Sequence, residues 1–314
     1  MSINKWIGAK LNPMDGLFSF DEDCLSEIEN AITLIRNNPL PLLMLHPSNF
    51  NMPKCTKLMN DVFDCIENDL GFCLIDKLPL ELLSDHEATS IYWLLSQMLG
   101  RPVAQKWCDG RMLYSVTDLG LSSGNGVRPD VTNEEQSFHT DNSYNICPPD
   151  VVGLLCLQPA MSGGVSRVVN MKSVLEKMNI SHKTLVQRLY RPFVFDRQKE
   201  HSDRDPETLQ NPILSSNGDD LRIRVSRNLI YQGYAIRGKR IDHIGEEALA
   251  TFFDIIDDPE MYKEFKFEAG QIQFLNNRVI GHKRTRFEDG PDKDKKRHLC
   301  RVWLRGHDRV FYNG

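Results

Sequence analysis

No two of the eight cysteines form a C-x-x-C pair. That spacing is what a zinc ribbon or a redox dithiol would need, so neither is expected. Most of the thiols sit in apolar-periodic segments, which points to reduced groups in a cytoplasmic protein rather than a disulfide framework. No run of eighteen apolar residues occurs, and no apolar signal core follows Met1–Trp6, so neither a membrane span nor secretion is expected. A basic excess is missing too. Lys and Arg number 38 against 43 Asp and Glu, a net charge of −5, and a phosphate backbone wants the opposite balance. Nucleic acid is therefore disfavoured as a partner, and the charge says nothing about small-molecule substrates. There are no internal repeats and no low-complexity tract.

What is present is ordinary for a globular protein. The chain has 314 residues, 26% of them charged and 40% hydrophobic, and this length suffices to bury a sizeable core. The reading takes 1–314 as one domain, with a mixed α/β part over 1–105 and a β-rich core over 106–310. Helical periodicity marks Asp21 to Asn37, Lys54 to Asn68 and Asp85 to Leu99; Asp21 or Asp23 starts the first and Asn-Asn-Pro at 37–39 stops it, and Gly100 and Pro102 close the third. Leu40 to Leu45 and Gly71 to Asp76 read as strands. Beyond residue 111 short β runs alternate with turn residues: Leu113 to Val116, Val151 to Leu157, Ser166 to Asn170, Leu221 to Val225, Gln271 to Phe274 and Leu299 to Leu304. Many short strands of this kind suggest a barrel or jelly-roll. Helices at about 171–189 and 244–257 interrupt it. Asp118 to Gln136 and Asp196 to Asp220 read as long loops, which in a compact domain are usually functional. A lid is expected over 192–220. The charged run Asp289 to Arg297 reads as a solvated turn.

The chemistry-bearing motif is Phe138-His139-Thr140-Asp141. On a strand, His-x-Asp puts an imidazole and a carboxylate on one face, because side chains alternate with period two. These are two ligands of a 2-His-1-carboxylate triad, which leaves coordination positions open on iron(II). Alone the pattern is weak, and a His and an Asp at a loop edge is its commoner meaning. His282 follows a β run and Asn276-Asn277, 141 positions after Asp141 (282 − 141). By itself it would be read as a hydrogen-bonded core or turn histidine. Arg297 and Arg301 are four apart, so on a strand they share a face with Leu299, and a guanidinium fork suits a dicarboxylate's far end.

The order His139-x-Asp141, His282, Arg297-x-x-x-Arg301 resembles the taurine dioxygenase/clavaminate synthase (TauD/TfdA) superfamily of iron and 2-oxoglutarate oxygenases. The resemblance covers roughly 71 to 306. Accessory segments agree: Gly71 to Asp76, Pro148-Pro149-Asp150, Gly163-Gly164-Val165-Ser166, and His282-x-Arg284-x-x-Phe287. It implies a mainly β fold with helices, a double-stranded β-helix (jelly-roll) core carrying N-terminal and inserted α-helices. It implies Fe(II), 2-oxoglutarate and O₂ as cofactor and cosubstrates. It implies His139, Asp141 and His282 as metal ligands, with Arg297 and Ser166 on the far carboxylate of 2-oxoglutarate. Arg301 corresponds to an arginine that meets an anionic group of the prime substrate in several members. The activity implied is C–H oxidation of a small molecule, most simply hydroxylation, with release of succinate and CO₂. The presence of Asp141 favours hydroxylation over halogenation, while desaturation and cyclisation remain open.

Asn142 and Tyr144, beside the metal motif, are candidate substrate contacts. Trp303 reads as core, Arg284 as a structural ion-pair partner, and His298 as pointing away from Arg297. A metal-binding jelly-roll that senses or scaffolds without turnover is the competing class. It would have no use for Arg297 and Ser166. Oligomeric state and substrate identity are not readable from the chain.

Overall fold

The computed structural model describes residues 3–122, 127–217, 220–292, 295–306 and 310–311. Two β-sheets form a jelly-roll. The larger runs in the order Leu17–Ser19, Phe72–Asp76, Ile272–Asn276, Val151–Gln158, His298–Arg305, Arg101–Pro102, and Leu113–Thr117 also pairs with His298–Arg305. The smaller runs Tyr262–Phe265, Ser166–Asn170, Ile280–Arg284, Gln136–His139. Within them every pairing is antiparallel except that of Leu17–Ser19 with Phe72–Asp76.

The strand His298–Arg305 explains how the core divides. Cys300, Val302 and Leu304 point outward into a cluster built with the helices Glu22–Asn37, Pro53–Asn68 and Asp85–Leu99. Leu299 points inward and packs with Tyr114, Val116, Cys156 and Phe267. Strand alternation thus assigns one set of side chains to the helical layer and the other to the site. A second cluster joins the smaller sheet to the helices Met171–Ser181, Lys183–Leu189, Arg227–Ile236 and His243–Ile256.

The helix boundaries follow local chemistry. Asp21 caps the first helix through Cys24 N–H, Pro53 opens the second, and Ser84 with Glu87 closes a capping box on the third.

Several expectations need correction. Leu40 to Leu45 is no strand: Leu42–Met44 is a 3₁₀ turn. Pro39 and Pro41 remove ladder donors there, and Leu40, Leu43 and Met44 are exposed. The expected loop at 196–220 holds the strands Thr208–Pro212, paired with Pro192–Asp196, and Leu214–Asn217, paired with Asp220–Ile223. Residues 218–219 lie outside the described ones. The expected helix at 171–189 breaks at His182, whose backbone is not helical. Arg227–Ile236 is a helix that periodicity did not bring out. The loop before His139 contains a 3₁₀ turn at Pro129–Val131, and its residues 123–126 are not described. In the charged turn, Pro291, Asp292 and Lys295 are exposed as expected, with 293–294 outside the described residues.

Candidate active site

Two paired strands bring the histidines together. His139 ends Gln136–His139, His282 lies in Ile280–Arg284, and the two are direct register partners. Their rings stand 4.2 Å apart between centroids. Asp141 follows on the turn after His139. Its Oδ1 lies 3.3 Å from His139 Nε2 and 3.5 Å from His282 Nε2. The three ligand atoms fall within 4.8 Å of one another, a set that can hold one metal ion on one side.

The protonation states suit that task. His139 Nδ1 donates to Ser137 O at 2.9 Å, which leaves Nε2 as the ring's acceptor; Gln136 Nε2 donates to that atom at 2.9 Å, a contact that a metal ion would replace. Burial, reinforced by the neighbouring His139, pulls His282 below the ordinary histidine range, towards the neutral ligand form. Burial alone would raise the Asp141 carboxyl, but Arg301 and the two imidazoles hold it well below the usual range.

A ring of hydrogen bonds fixes Asp141. Trp303 Nε1 donates to its Oδ2 at 2.6 Å, and Arg301 Nη1 lies 3.3 Å from the same oxygen. That leaves Oδ1 to face the imidazoles. Asn277 clamps the backbone: its Oδ1 accepts from Asp141 N–H at 2.7 Å, and its Nδ2 donates to Asp141 O and Pro149 O at 3.0 Å each. Trp303 was expected only to pack. It does pack, in the cluster that the smaller sheet forms with its helices, and its N–H also orients the candidate ligand Asp141. Alternation along 297, 299, 301 and 303 carries that signal. Among the described residues Arg284 makes no ion pair: its Nη2 donates to Pro129 O, Thr132 O and Glu134 O, holding the segment that leads to His139.

Trp303→Phe keeps the ring's bulk and removes the donor. Its expected effect is a drop of about 10–100-fold in Fe(II) affinity, with the fold intact. Anaerobic titration beside a thermal melt of the metal-free protein checks this; unchanged affinity would reduce the indole to packing.

Arg297 precedes the strand that carries Arg301, and the two share its inner face with Leu299 around a cavity of about 50 Å³. His139, His282, Ser166 and Arg284 line the same cavity. Arg297 is only 4% exposed, yet its Nη1 has no hydrogen-bond partner. Burial and nearby Arg284 lower its pKa to about 10. Asp289 attracts it, but a buried cation with an unsatisfied N–H is costly, and it lines one cavity with His139 and His282. Such a socket fits a carboxylate. The turn beside it needs glycine: Gly163 and Gly164 have φ of 68° and 64°. A Cβ on Gly164 would come 3.4 Å from Arg297 Nε, and one on Gly163 would strike Arg286 O at 2.2 Å.

A larger cavity of about 570 Å³ opens on the triad's other side. Arg301, Trp303, Asn142 and Tyr144 line it, so the expected substrate residues all reach one space. Arg301 arrives there already engaged, through Nε to Gln105 Oε1 at 2.8 Å and Nη2 to Asp130 Oδ2 at 3.4 Å. The segment 196–200 forms part of the wall. Glu200, buried, binds Arg128, Lys106 and the Trp107 N–H, and pins this segment to the opposite rim. His298 turns away from the site, to Ser115 Oγ at 3.1 Å.

Residues 37–303 match the family described as taurine catabolism dioxygenase TauD, TfdA family. The chain belongs to this family. As a TauD/TfdA dioxygenase it uses Fe(II), 2-oxoglutarate and O₂. Among curated relatives it is similar to FR-33289 synthase of Streptomyces rubellomurinus, 27% identical over 292 residues, covering 91% of this chain and 84% of that one. A crystal structure of an asparagine oxygenase with Fe(II), 3-hydroxyasparagine and succinate superposes with a TM-score of 0.67 at 16% identity, covering 94% of each chain. The oxygenase OrfP with Fe and α-ketoglutaric acid gives 0.68 at 15%, covering 93% and 94%. These distant likenesses establish the shared jelly-roll fold. The eight cysteines are free, and no helix among the described residues is long and apolar enough to cross a membrane.

Proposed function

We propose that this dioxygenase hydroxylates an unactivated C–H bond of a small molecule in the cytoplasm, an amino acid or a natural-product intermediate. The observation that carries the reading is the meeting of the His139–Asp141–His282 cluster with a buried Arg297 whose Nη1 lacks a hydrogen bond, and with a 570 Å³ cavity. Relatives named for asparagine oxidation and for FR-33289 synthesis support the substrate class.

Bound iron and 2-oxoglutarate would supply the oxidising power, with succinate and CO₂ as by-products. The chain's own residues position and exclude. His139, Asp141 and His282 hold the metal. Arg297, with Ser166, takes the distal carboxylate of the cosubstrate. Trp303 and Arg301 keep Asp141 Oδ2 turned from the metal, and the Glu200 cluster holds the wall segment that shuts out water. Arg301's contacts to Asp130 and Asp141 are long, 3.4 and 3.3 Å, so its N–H groups can still serve an anionic group of the substrate from the cavity side.

Anaerobic addition of Fe(II) and 2-oxoglutarate is expected to produce a weak visible charge-transfer band, and a screen of small metabolites to find one that stimulates succinate release. Absence of the band, or iron binding without any stimulated turnover, would favour a non-catalytic metal-binding jelly-roll instead.

A further inference from the structure

Two polar side chains in the large cavity lack partners that burial demands. Asp130 is 5% exposed, and its Oδ1 makes no hydrogen bond. Asn142 is 6% exposed, and neither its Oδ1 nor its Nδ2 makes one. Both residues line the cavity that faces the metal triad. Buried polar atoms are nearly always satisfied. These three expose almost no surface themselves but belong to two residues that line the cavity, so a small turn of either side chain would present them to a ligand that completes them.

Their placement is built rather than incidental. Asn142 sits directly after the metal ligand Asp141 with φ of 55°, a left-handed backbone that Asn tolerates better than most residues. The Asn277 clamp on Asp141's peptide fixes that turn. Asp130 lies in the 3₁₀ turn Pro129–Val131, whose Pro129 carbonyl is held by Arg284. Asp130 Oδ2 meets Arg301, which in turn meets Asp141, so the two orphaned groups flank the metal's carboxylate.

The chemistry of the missing partner follows from charge. Asp130 already stands opposite Arg301, and it also acts electrostatically on Lys106 and Arg284. Its negative charge is thus answered several times over, while one oxygen still lacks an N–H. Asn142 lacks a donor and an acceptor together, which is the complement of a carboxamide. We infer that Asp130 and Asn142 are specificity-determining residues that recognise an amide-type group, a carboxamide, peptide bond or ureido function, on the molecule to be oxidised. The inference rests on the proposed reaction and narrows its substrate.

The test uses pairs of small molecules: N-acetylated amino acids, primary carboxamides and ureido compounds, each matched with its ester or ketone counterpart. Binding is read from displacement of the visible band of the holoenzyme with iron and 2-oxoglutarate, and turnover from succinate release. A site built on hydrogen bonds should favour amides over their counterparts by about a hundredfold, because the counterpart leaves buried groups unpaired. Asp130→Asn and Asn142→Asp, both isosteric, should each cut that preference about tenfold while the KM for 2-oxoglutarate moves by less than roughly twofold. Equal binding of amides and esters by the parent overturns the inference. So does a preference that survives in both variants, or a holoenzyme with a normal band that no pair member shifts. Failure of the band itself is a different result: it removes the proposed reaction, and this inference with it.

Discussion

Asp141→Ala is expected to lower Fe(II) affinity by more than the hundredfold or so that loss of an outer partner brings, and to cut succinate release by on the order of 10³. The change removes three things together. On the proposed assignment, the metal loses its only anionic side-chain ligand. Trp303 Nε1, now bonded to Asp141 Oδ2 at 2.6 Å, loses its acceptor inside the core. Arg301 Nη1, 3.3 Å from that oxygen, is left as a cation facing the two imidazoles and repels the ion they should bind. Asp141→Asn separates these effects, since it keeps the shape and an acceptor for Trp303 while deleting the charge. It should bind iron better than the alanine variant and worse than the parent. Anaerobic iron titration of the three proteins, with succinate measured in parallel, gives the comparison. If the alanine variant took up iron and cosubstrate like the parent, the metal assignment would fail.

Arg297→Met should act in opposite directions on two measurements. The guanidinium is 4% exposed and its Nη1 has no hydrogen-bond partner, so attraction to Asp289 and the Phe287 ring offsets its desolvation only in part. An apolar side chain of similar length removes that burden and keeps the contact with the Phe287 ring, which the guanidinium carbon now makes at 5.0 Å from the centroid. The metal-free variant should therefore be more stable, by about 1–3 kcal/mol, which raises its melting midpoint by roughly 2 °C or more. Cosubstrate binding should collapse, because the distal carboxylate then enters a cavity without a cation. The KM for 2-oxoglutarate should rise on the order of a hundredfold, the loss of a charge-assisted bidentate pair, with iron affinity nearly unchanged. A variant less stable than the parent and unaltered towards 2-oxoglutarate would mean that Arg297 is a structural cation.

The sequence carried the parts of this site that obey short-range geometry. Arg297 and Arg301 are four apart at the start and in the middle of one extended segment, so alternation puts both on its inner face. His139 and Asp141 come together differently from the expected shared strand: the strand ends at His139, and Asp141 reaches the same place from the turn after it. The N-terminal helices were legible for the same reason, with caps at Asp21 and Ser84 where the helical spacing begins. What escaped depends on partners far along the chain. Nothing near Trp303 says that its N–H meets an acceptor 162 positions away, and nothing near Asn277 says that it grips a peptide 136 positions away. The strand Thr208–Pro212 was hidden by polar residues whose backbone finds Pro192–Asp196 regardless of side-chain pattern. Leu40 to Leu45 misled in the opposite way: apolar residues suggested a strand that the flanking prolines forbid. Arg227–Ile236 was obscured by the polar residues between Leu229, Ile230 and Gly233, which form its buried side.

The four-residue strand Gln136–His139 lies at the margin of the smaller sheet and pairs along one side only, apart from a single bridge from His139 to Ser226. On the proposed assignment, one imidazole ligand hangs from that margin and the other from the interior strand beside it. Bound iron would then act as a rivet between a weakly anchored ribbon and a firmly anchored one, with part of its binding energy keeping the ribbon docked. In the stripped protein, amide hydrogens of 136–139 should exchange with solvent well before those of 280–284, and loading with metal should close that gap.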